Sequence, residues 1–325
     1  MSGVQQMTVS AEDDDLRLDR WFRKHFPGVK HGQLEKLLRK GQVRVDGGRI
    51  KASHRLEAGQ IIRIPPLPEG ADTISIKQSS PVLSDRDARF IRDLVIYEDD
   101  ALLILNKPFG LAVQGGSKTN RHIDGMLDAF GKGESRPRLT HRLDRDTGGV
   151  LVLGKTRKAA KALGEFFQRH KVEKTYWALV AGVPHPRQGR IDLPIAKKAG
   201  AEGEKMGKSE IGKKALTDFQ VVEEAGTVSF IALRPLTGRT HQLRVHCAAI
   251  GTPIIGDGKY GGAASHIEGI SPKMHLFCHS MTFPHPLNRS RFTVKTELSG
   301  HMLATWKFFN FSRKPIIEWP EADLG

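Results

Sequence analysis

Between Leu16 and Ile64 the chain carries 13 Lys or Arg against 4 Asp or Glu, so +9 of its formal net charge of +15 sits in 49 residues that end at Pro65-Pro66. Cations at that density cannot all enter a core. They must face outward over a small apolar interior, and the Pro- and Gly-containing break that follows separates this segment from the rest. With 325 residues the chain has room for two domains. A basic patch of this kind points to a polyanionic partner, nucleic acid or an anionic membrane surface.

Within the basic segment, Leu16, Leu18, Trp21 and Phe22 recur at helical spacing with Arg17, Arg20, Arg23 and Lys24 between them, which predicts an amphipathic helix with a basic outer face. Pro27 and Gly28 end it. A second helix is expected over 32–40 with Leu34, Leu37 and Leu38 inward and Gly41 as its C-terminal cap. Strand alternation at Val43 and Val45, a turn at Asp46-Gly47-Gly48 and a strand at Ile61, Ile62 and Ile64 complete the unit. Residues 1–15, which close on Glu12, Asp13, Asp14 and Asp15, are expected to be an acidic, disordered lead, and 66–86 a linker. The second domain is expected over 87–310, with 311–325 as a tail.

In that domain the stretch 141–149 reads His-Arg-Leu-Asp-Arg-Asp-Thr-Gly-Gly and leads into Val150-Leu151-Val152-Leu153. Two carboxylates among three basic side chains, beside a strand this apolar, suit either a reactive site or a loop of solvated ion pairs. A carboxylate next to Arg is favoured in its charged form, and such a group can serve as nucleophile, base or metal ligand. Thr156 predicts the cap of a helix running to about His170, and 174–180, Lys-Thr-Tyr-Trp-Ala-Leu-Val, a strand on which Tyr176 is either a platform for a ligand ring or a half-buried aromatic. Residues 196–214 predict an exposed loop or hairpin tip, and 218–222 with 228–236 a strand hairpin. The hairpin runs into a Gly turn and a polar run, Thr237-Gly238-Arg239-Thr240-His241-Gln242-Leu243-Arg244-Val245-His246, where Arg239 can meet a carboxylate or a phosphate. Lys107, after the strand at 102–105, can reach a phosphate or serve only as a turn residue.

Other chemistries find less support. Cys247 and Cys278 are too few for a disulfide framework, and their spacing with His241, His246, His275 and His279 fits no paired zinc pattern. Gly256-Asp257-Gly258-Lys259-Tyr260-Gly261-Gly262 lacks both the Gly-Lys-Ser/Thr ending of a phosphate loop and the spacing of a dinucleotide turn. No apolar run approaches the roughly 18 residues of a membrane span, and the acidic start is unlike a secretion or transit signal. A cytoplasmic protein is the expectation.

Arg-Leu-Asp-Arg-Trp at 17–21, Leu-Arg-Lys-Gly-Gln-Val-Arg-Val-Asp-Gly at 38–47 and Leu-Glu-Ala-Gly-Gln-Ile-Ile-Arg-Ile at 56–64 resemble, in order and spacing, the S4 RNA-binding module. The 141–149 stretch, the 174–180 strand and Leu-Thr-Gly-Arg-Thr-His-Gln-Leu-Arg-Val-His at 236–246 are similar to the RluA class of pseudouridine synthases. So are Asn106-Lys107-Pro108 before them and Gly251-Thr252-Pro253-Ile254-Ile255-Gly256-Asp257 after them, in the same order. The likeness is closest to the RluC and RluD members, which modify large-subunit ribosomal RNA.

That resemblance implies an α+β protein: a small S4-like module followed by a catalytic domain with a mixed, mainly antiparallel sheet and flanking helices. It implies Asp144 as the catalytic aspartate, Arg239 as its ion-pair partner, Tyr176 as the aromatic against the target base and Arg142 as the residue that helps extrude that base. Arg17, Arg20, Arg23, Lys36, Arg39, Lys40 and Arg44 would meet RNA backbone. No metal, redox or small-molecule cofactor is implied, and a monomer acting on RNA without a membrane is expected. Phe277-Cys278 departs from the His-Ala pair common in the family. Two other classes compete: a non-catalytic RNA-binding or ribosome-assembly factor, and a hydrolase with Asp144 and Asp146 as paired carboxylates. Transfer RNA is the alternative substrate.

Overall fold

The computed structural model describes residues 3–10, 13–67, 83–115, 119, 121–198 and 205–319. It divides into two compact units, 1–82 and 83–325.

In the first unit β1 (Gln5–Thr8), α1 (Leu18–His25), α2 (His31–Arg39), β2 (Arg44–Val45) and β3 (Ile61–Ile64) follow one another. The three strands form one antiparallel sheet in the order β1-β3-β2. Leu18, Trp21 and Phe22, on one face of α1, are buried with Leu34 and Leu38 of α2 against Ile62 and Ile64 of β3. Burying each such side chain contributes roughly 1.5–3 kcal/mol, which is what lets a unit this small hold its charges outward. Gly41 follows α2 at φ +66°, the left-handed conformation a helix end of this kind requires.

The disordered lead expected for residues 1–15 is corrected here: Gln5–Thr8 pair with Ile61–Ile64, and Asp13 is buried, held by Lys24 Nζ at 2.7 Å and His25 Nε2 at 2.9 Å. The acid run masked an apolar alternation, Met7 and Val9, that closes the sheet and its core. Of the linker expected at 66–86, residues 68–82 lie outside the described residues. Residues 83–86 already belong to the second unit, because Ser84 caps a helix by accepting from the Asp87 N–H.

The second unit runs α3 (Asp85–Asp93), β4 (Val95–Glu98), β5 (Leu102–Lys107), α4 (Ile123–Met126), β6 (Arg138–Leu139), β7 (Gly148–Gly154) and α5 (Arg157–Gln168). It continues with β8 (Glu173–Ala181), β9 (Gln188–Asp192), the hairpin β10 (Ile195–Lys198) and β11 (Lys205–Lys208), then β12 (Leu216–Ala225) and β13 (Val228–Pro235). α6 (Gln242–Ala249), β14 (Leu276–Pro284), β15 (Arg291–Lys295) and α7 (Gly300–Phe308) end it. One ten-stranded sheet has the spine β4-β5-β7-β14-β8-β13-β12-β9, with β6 on β7 and β15 on β14. Every pairing in it is antiparallel except β7 with β14.

Strand β7 is buried along its whole length, which explains its unbroken apolar run. Where it meets β14, Gly149 has φ +107° and a Cβ there would run into the Cys278 carbonyl oxygen, so a glycine is required at 149 by close approach. Helix α5 packs Ala159, Leu163 and Phe166 into the core that contains β7. The tail expected at 311–325 is partly core: Phe311 is buried with Phe230 and Trp306.

Candidate active site

The loop 140–147 leaves β6 and enters β7, and three contacts set its shape. Thr140 Oγ1 donates to the Val152 carbonyl at 2.8 Å, and His141 Nε2 accepts the Val152 N–H at 2.9 Å. The His141 ring stacks on Phe167, and burial pulls its pKa down to about 3, so the imidazole is neutral and available as an acceptor. From the end of β5, Lys107 Nζ donates to the carbonyls of Pro108, Leu111 and Arg145 at 2.9, 2.6 and 2.9 Å. Lys107 is fully buried, and burial pulls its pKa down to about 7 against the opposing pull of Asp146 and Asp144. Of its two open roles, the structure assigns the turn: Lys107 ties the loop to the sheet and faces no solvent.

So held, Asp144 projects into a cleft of about 360 Å³, within the range of small-ligand sites. The opposite wall is residues 237–244, and Tyr176, Lys174 and Phe167 close the side. Tyr176 is held well above its ordinary pKa by burial first, then by Cys278 and Asp144, so its phenol stays protonated. Burial pushes the Cys278 thiol up to about 12, which makes it an uncharged neighbour of that ring.

Two groups approach Asp144: His241 Nε2 lies 3.7 Å from Oδ2 and Arg244 Nη1 lies 3.9 Å from it. Arg244 is fixed from behind by a two-pronged bond to Asp257, Nε to Oδ2 and Nη2 to Oδ1, both 2.7 Å. Burial opposes the Arg244 charge, but the Asp257 carboxylate outweighs it and raises the pKa. Asp257 has a fully buried side chain, and its Oδ1 also accepts the N–H groups of Lys259 and Tyr260 at 3.2 Å.

The expected Asp144–Arg239 ion pair is therefore corrected. Arg239 lines the cleft, but its Nε donates to the Lys214 carbonyl at 3.1 Å, and Arg244 holds the place beside Asp144. The reason is local conformation: the polar run expected after the Gly turn is a helix, α6, entered through His241 at φ +56°. Its winding, not the turn, brings Arg244 to the cleft. Arg142 is exposed at the cleft's edge. Asp146 pairs with Arg145 and lines a second cavity beyond Arg244 together with Phe109, Lys273 and His301, so it shares no cleft with Asp144 and the paired-carboxylate reading loses its geometry.

Sequence reading missed Arg244, His241, Asp257 and Tyr260 as members of the site. The signal was present for the first, two arginines five residues apart in one motif, but choosing between them needed the helix. In the first unit Arg20, Arg23, Lys36, Arg39 and Lys40 are exposed; Arg17 is exposed but paired with Asp19, and Arg44 donates to the carbonyls of Gly41 and Gly47.

Comparison with known proteins agrees with this architecture. Residues 101–249 match the RNA pseudouridylate synthase family. The chain is 34% identical over 307 residues, 93% of its length and 94% of the relative's, to the ribosomal large subunit pseudouridine synthase C of Haemophilus ducreyi. It is 36% identical over 290 residues, 87% and 89%, to the protein of that name from Escherichia coli K12. Among solved structures, human RNA pseudouridylate synthase domain containing 4 aligns with a TM-score of 0.57 at 26% identity, over 69% of this chain and 95% of that one. Human RNA pseudouridylate synthase domain containing 1 aligns at 0.53 and 26%, over 68% and 96%. Fold and sequence thus define an RNA-directed isomerase. The chain belongs to the RNA pseudouridine synthase family, in its RluA class.

Proposed function

We propose that this protein converts specific uridines of large-subunit ribosomal RNA to pseudouridine, with Asp144 as the catalytic aspartate. The observation that carries the reading is the cleft in which Asp144 lies beside Arg244, itself locked by Asp257, with Tyr176 closing the side. The relatives named for the large ribosomal subunit match along nearly their whole length, which supports that substrate.

The reaction breaks the bond from ribose C1′ to uracil N1, turns the freed ring, joins C1′ to C5 and releases the C5 proton while N1 gains one. Asp144 begins it by attacking C1′ or by taking the C2′ proton, which returns once the new bond has formed. Tyr176, a protonated phenol on a rigid strand, packs its ring against the uracil. Arg142 at the cleft's edge occupies the space of the extruded base, repaying part of the few kcal/mol that unstacking costs. The exposed cations of α1 and α2 hold RNA backbone without reading sequence. Acting as a monomer in the cytoplasm, the enzyme uses no cofactor; no helix of the described residues is long and apolar enough to cross a membrane.

The test is pseudouridine mapping by carbodiimide labelling and primer extension on large-subunit RNA from cells without the gene, complemented by wild type or by Asp144→Asn. Stops that return only with wild type are the expected result. An unchanged ribosomal map with altered transfer RNA would move the substrate, and no change in either would favour a binding factor.

A further inference from the structure

His241 is the residue at which α6 begins, in a left-handed conformation (φ +56°, ψ 20°) that a non-glycine residue adopts only when its surroundings hold it there. Those surroundings are specific. His241 Nδ1 lies 2.7 Å from the Tyr260 hydroxyl, and the same hydroxyl accepts the backbone N–H of Met206, on β11, at 3.2 Å. A phenol has one proton and two lone pairs. Since the Met206 N–H can only donate, the phenolic proton is free to go to Nδ1, which leaves the ring proton on Nε2. The other tautomer would turn the Nε2 lone pair toward the Asp144 carboxylate and strip the phenolic proton of its acceptor. Tyr260 is itself braced, with its N–H bonded to Asp257 and its ring under the Arg244 guanidinium at 4.9 Å.

Asp144 therefore faces two donors, each a few tenths of an ångström beyond hydrogen-bond distance and each fixed from behind by another residue. Among the described residues no side chain makes a closer polar contact to its carboxylate. We propose that His241 is a positioning residue for Asp144: a neutral imidazole whose Nε2–H closes onto Oδ2 when the uridine enters, leaving Oδ1 aimed at the ribose. Its tautomer is set by Tyr260, and Tyr260 by the backbone of the β10–β11 hairpin. Neutrality matters, because a second full cation beside Arg244 would blunt the carboxylate as nucleophile or base. The groups that face the ring are Asp144, Arg244, Lys259, Asp257 and Tyr260; burial, with Arg244 and Lys259, holds its pKa below the ordinary value against the two carboxylates. The inference rests on the reading of Asp144 given above.

The full-length protein is tested in single turnovers on RNA carrying 5-tritiated uridine, with RNA affinity measured in parallel. His241→Asn keeps a residue that tolerates the left-handed backbone but is too short to reach Asp144. Its rate is expected to fall about 100-fold, the usual cost of a misplaced catalytic group, with Kd unchanged. His241→Gln sets an amide N–H near the position of Nε2 and is expected to stay within about tenfold of wild type. Tyr260→Phe, which releases the tautomer, should lie between them and lose activity at a higher pH on the acid side. An Asn variant as fast as wild type, or Asn and Gln variants equally slow with Kd intact, would overturn the role of His241 while leaving Asp144 untouched. A wild-type protein that releases no tritium from any RNA would instead remove the reading of the site.

Discussion

In the N-terminal unit Arg20, Arg23, Lys36, Arg39 and Lys40 stand exposed, whereas around the cleft of the second unit Arg244 keeps 13% of its side chain accessible and Lys107 none. The difference separates two uses of the same charge. An exposed cation attracts a polyanion over a Debye length, is screened by salt and can be replaced by its neighbour. A buried one acts through a fixed direction: Arg244 by two bonds to Asp257, Lys107 by three to carbonyls. Affinity should therefore reside in the first set and reaction in the second.

The largest effect that separates them is Asp144→Asn, which should leave RNA affinity within a factor of about two and abolish pseudouridine, read by tritium release and filter binding. If binding fell as well, the division between the sets would be wrong. Next comes the pair Arg244→Gln and Arg239→Gln. The first should slow single turnovers by about 100-fold and the second by less than about tenfold, since of the two arginines it is Arg244 that lies within 4 Å of the carboxylate. The reverse ranking would restore the partner that sequence suggested.

Lys107→Met tests a buried cation whose role is mechanical. Three carbonyls left without donors should cost about 3 kcal/mol in urea unfolding of the second unit, with a matching loss of activity only where the loop is disordered. The exposed set is tested by changing Arg20, Arg23, Lys36 and Arg39 together to Gln. The slope of log affinity against log salt should flatten by about 3 if all four meet phosphate, and the single-turnover rate at saturating RNA should hold.

The smallest effect is one of pH. His141 is held at about 3, and His275 and His279 at about 4, chiefly by burial, so all three stay neutral in the folded protein while the unfolded chain protonates them below about 6.5. Between those values the unfolded state binds more protons. Stability contributed by these rings is present above 6.5 and is lost as pH falls, so the melting temperature of the second unit should drop from about pH 6.5 toward 4, and the drop should shrink in His279→Gln.

Much of this was legible along the chain because it depends on short-range pattern. Leu18, Trp21 and Phe22 announce a helix face by spacing, Thr156 announces the start of α5, and the apolar run 150–153 announces a strand buried on both sides. Charge concentrated beside that strand marked the stretch 141–149, and the family resemblance, not the charge, chose Asp144 over Asp146 within it. Other features had no local signature. Gln5–Thr8 became a strand only because β3 offered it an edge, and the acid run beside it spoke for disorder. Residues 236–246 read as a turn and a polar run, yet the backbone passes through His241 into α6.

What the sequence determined by itself, then, is the division into a basic module and a larger sheet domain, most of the elements, and the charged stretch 141–149 that holds Asp144. These follow from periodicity, punctuation and charge, which act over a few residues. Which arginine faces Asp144, that Asp257 holds it, that Lys107 is a brace and that Tyr260 sets the proton on His241 were decided only in three dimensions. Each rests on a contact between residues at least 13 positions apart, and its direction depends on how a helix winds and where a strand pairs.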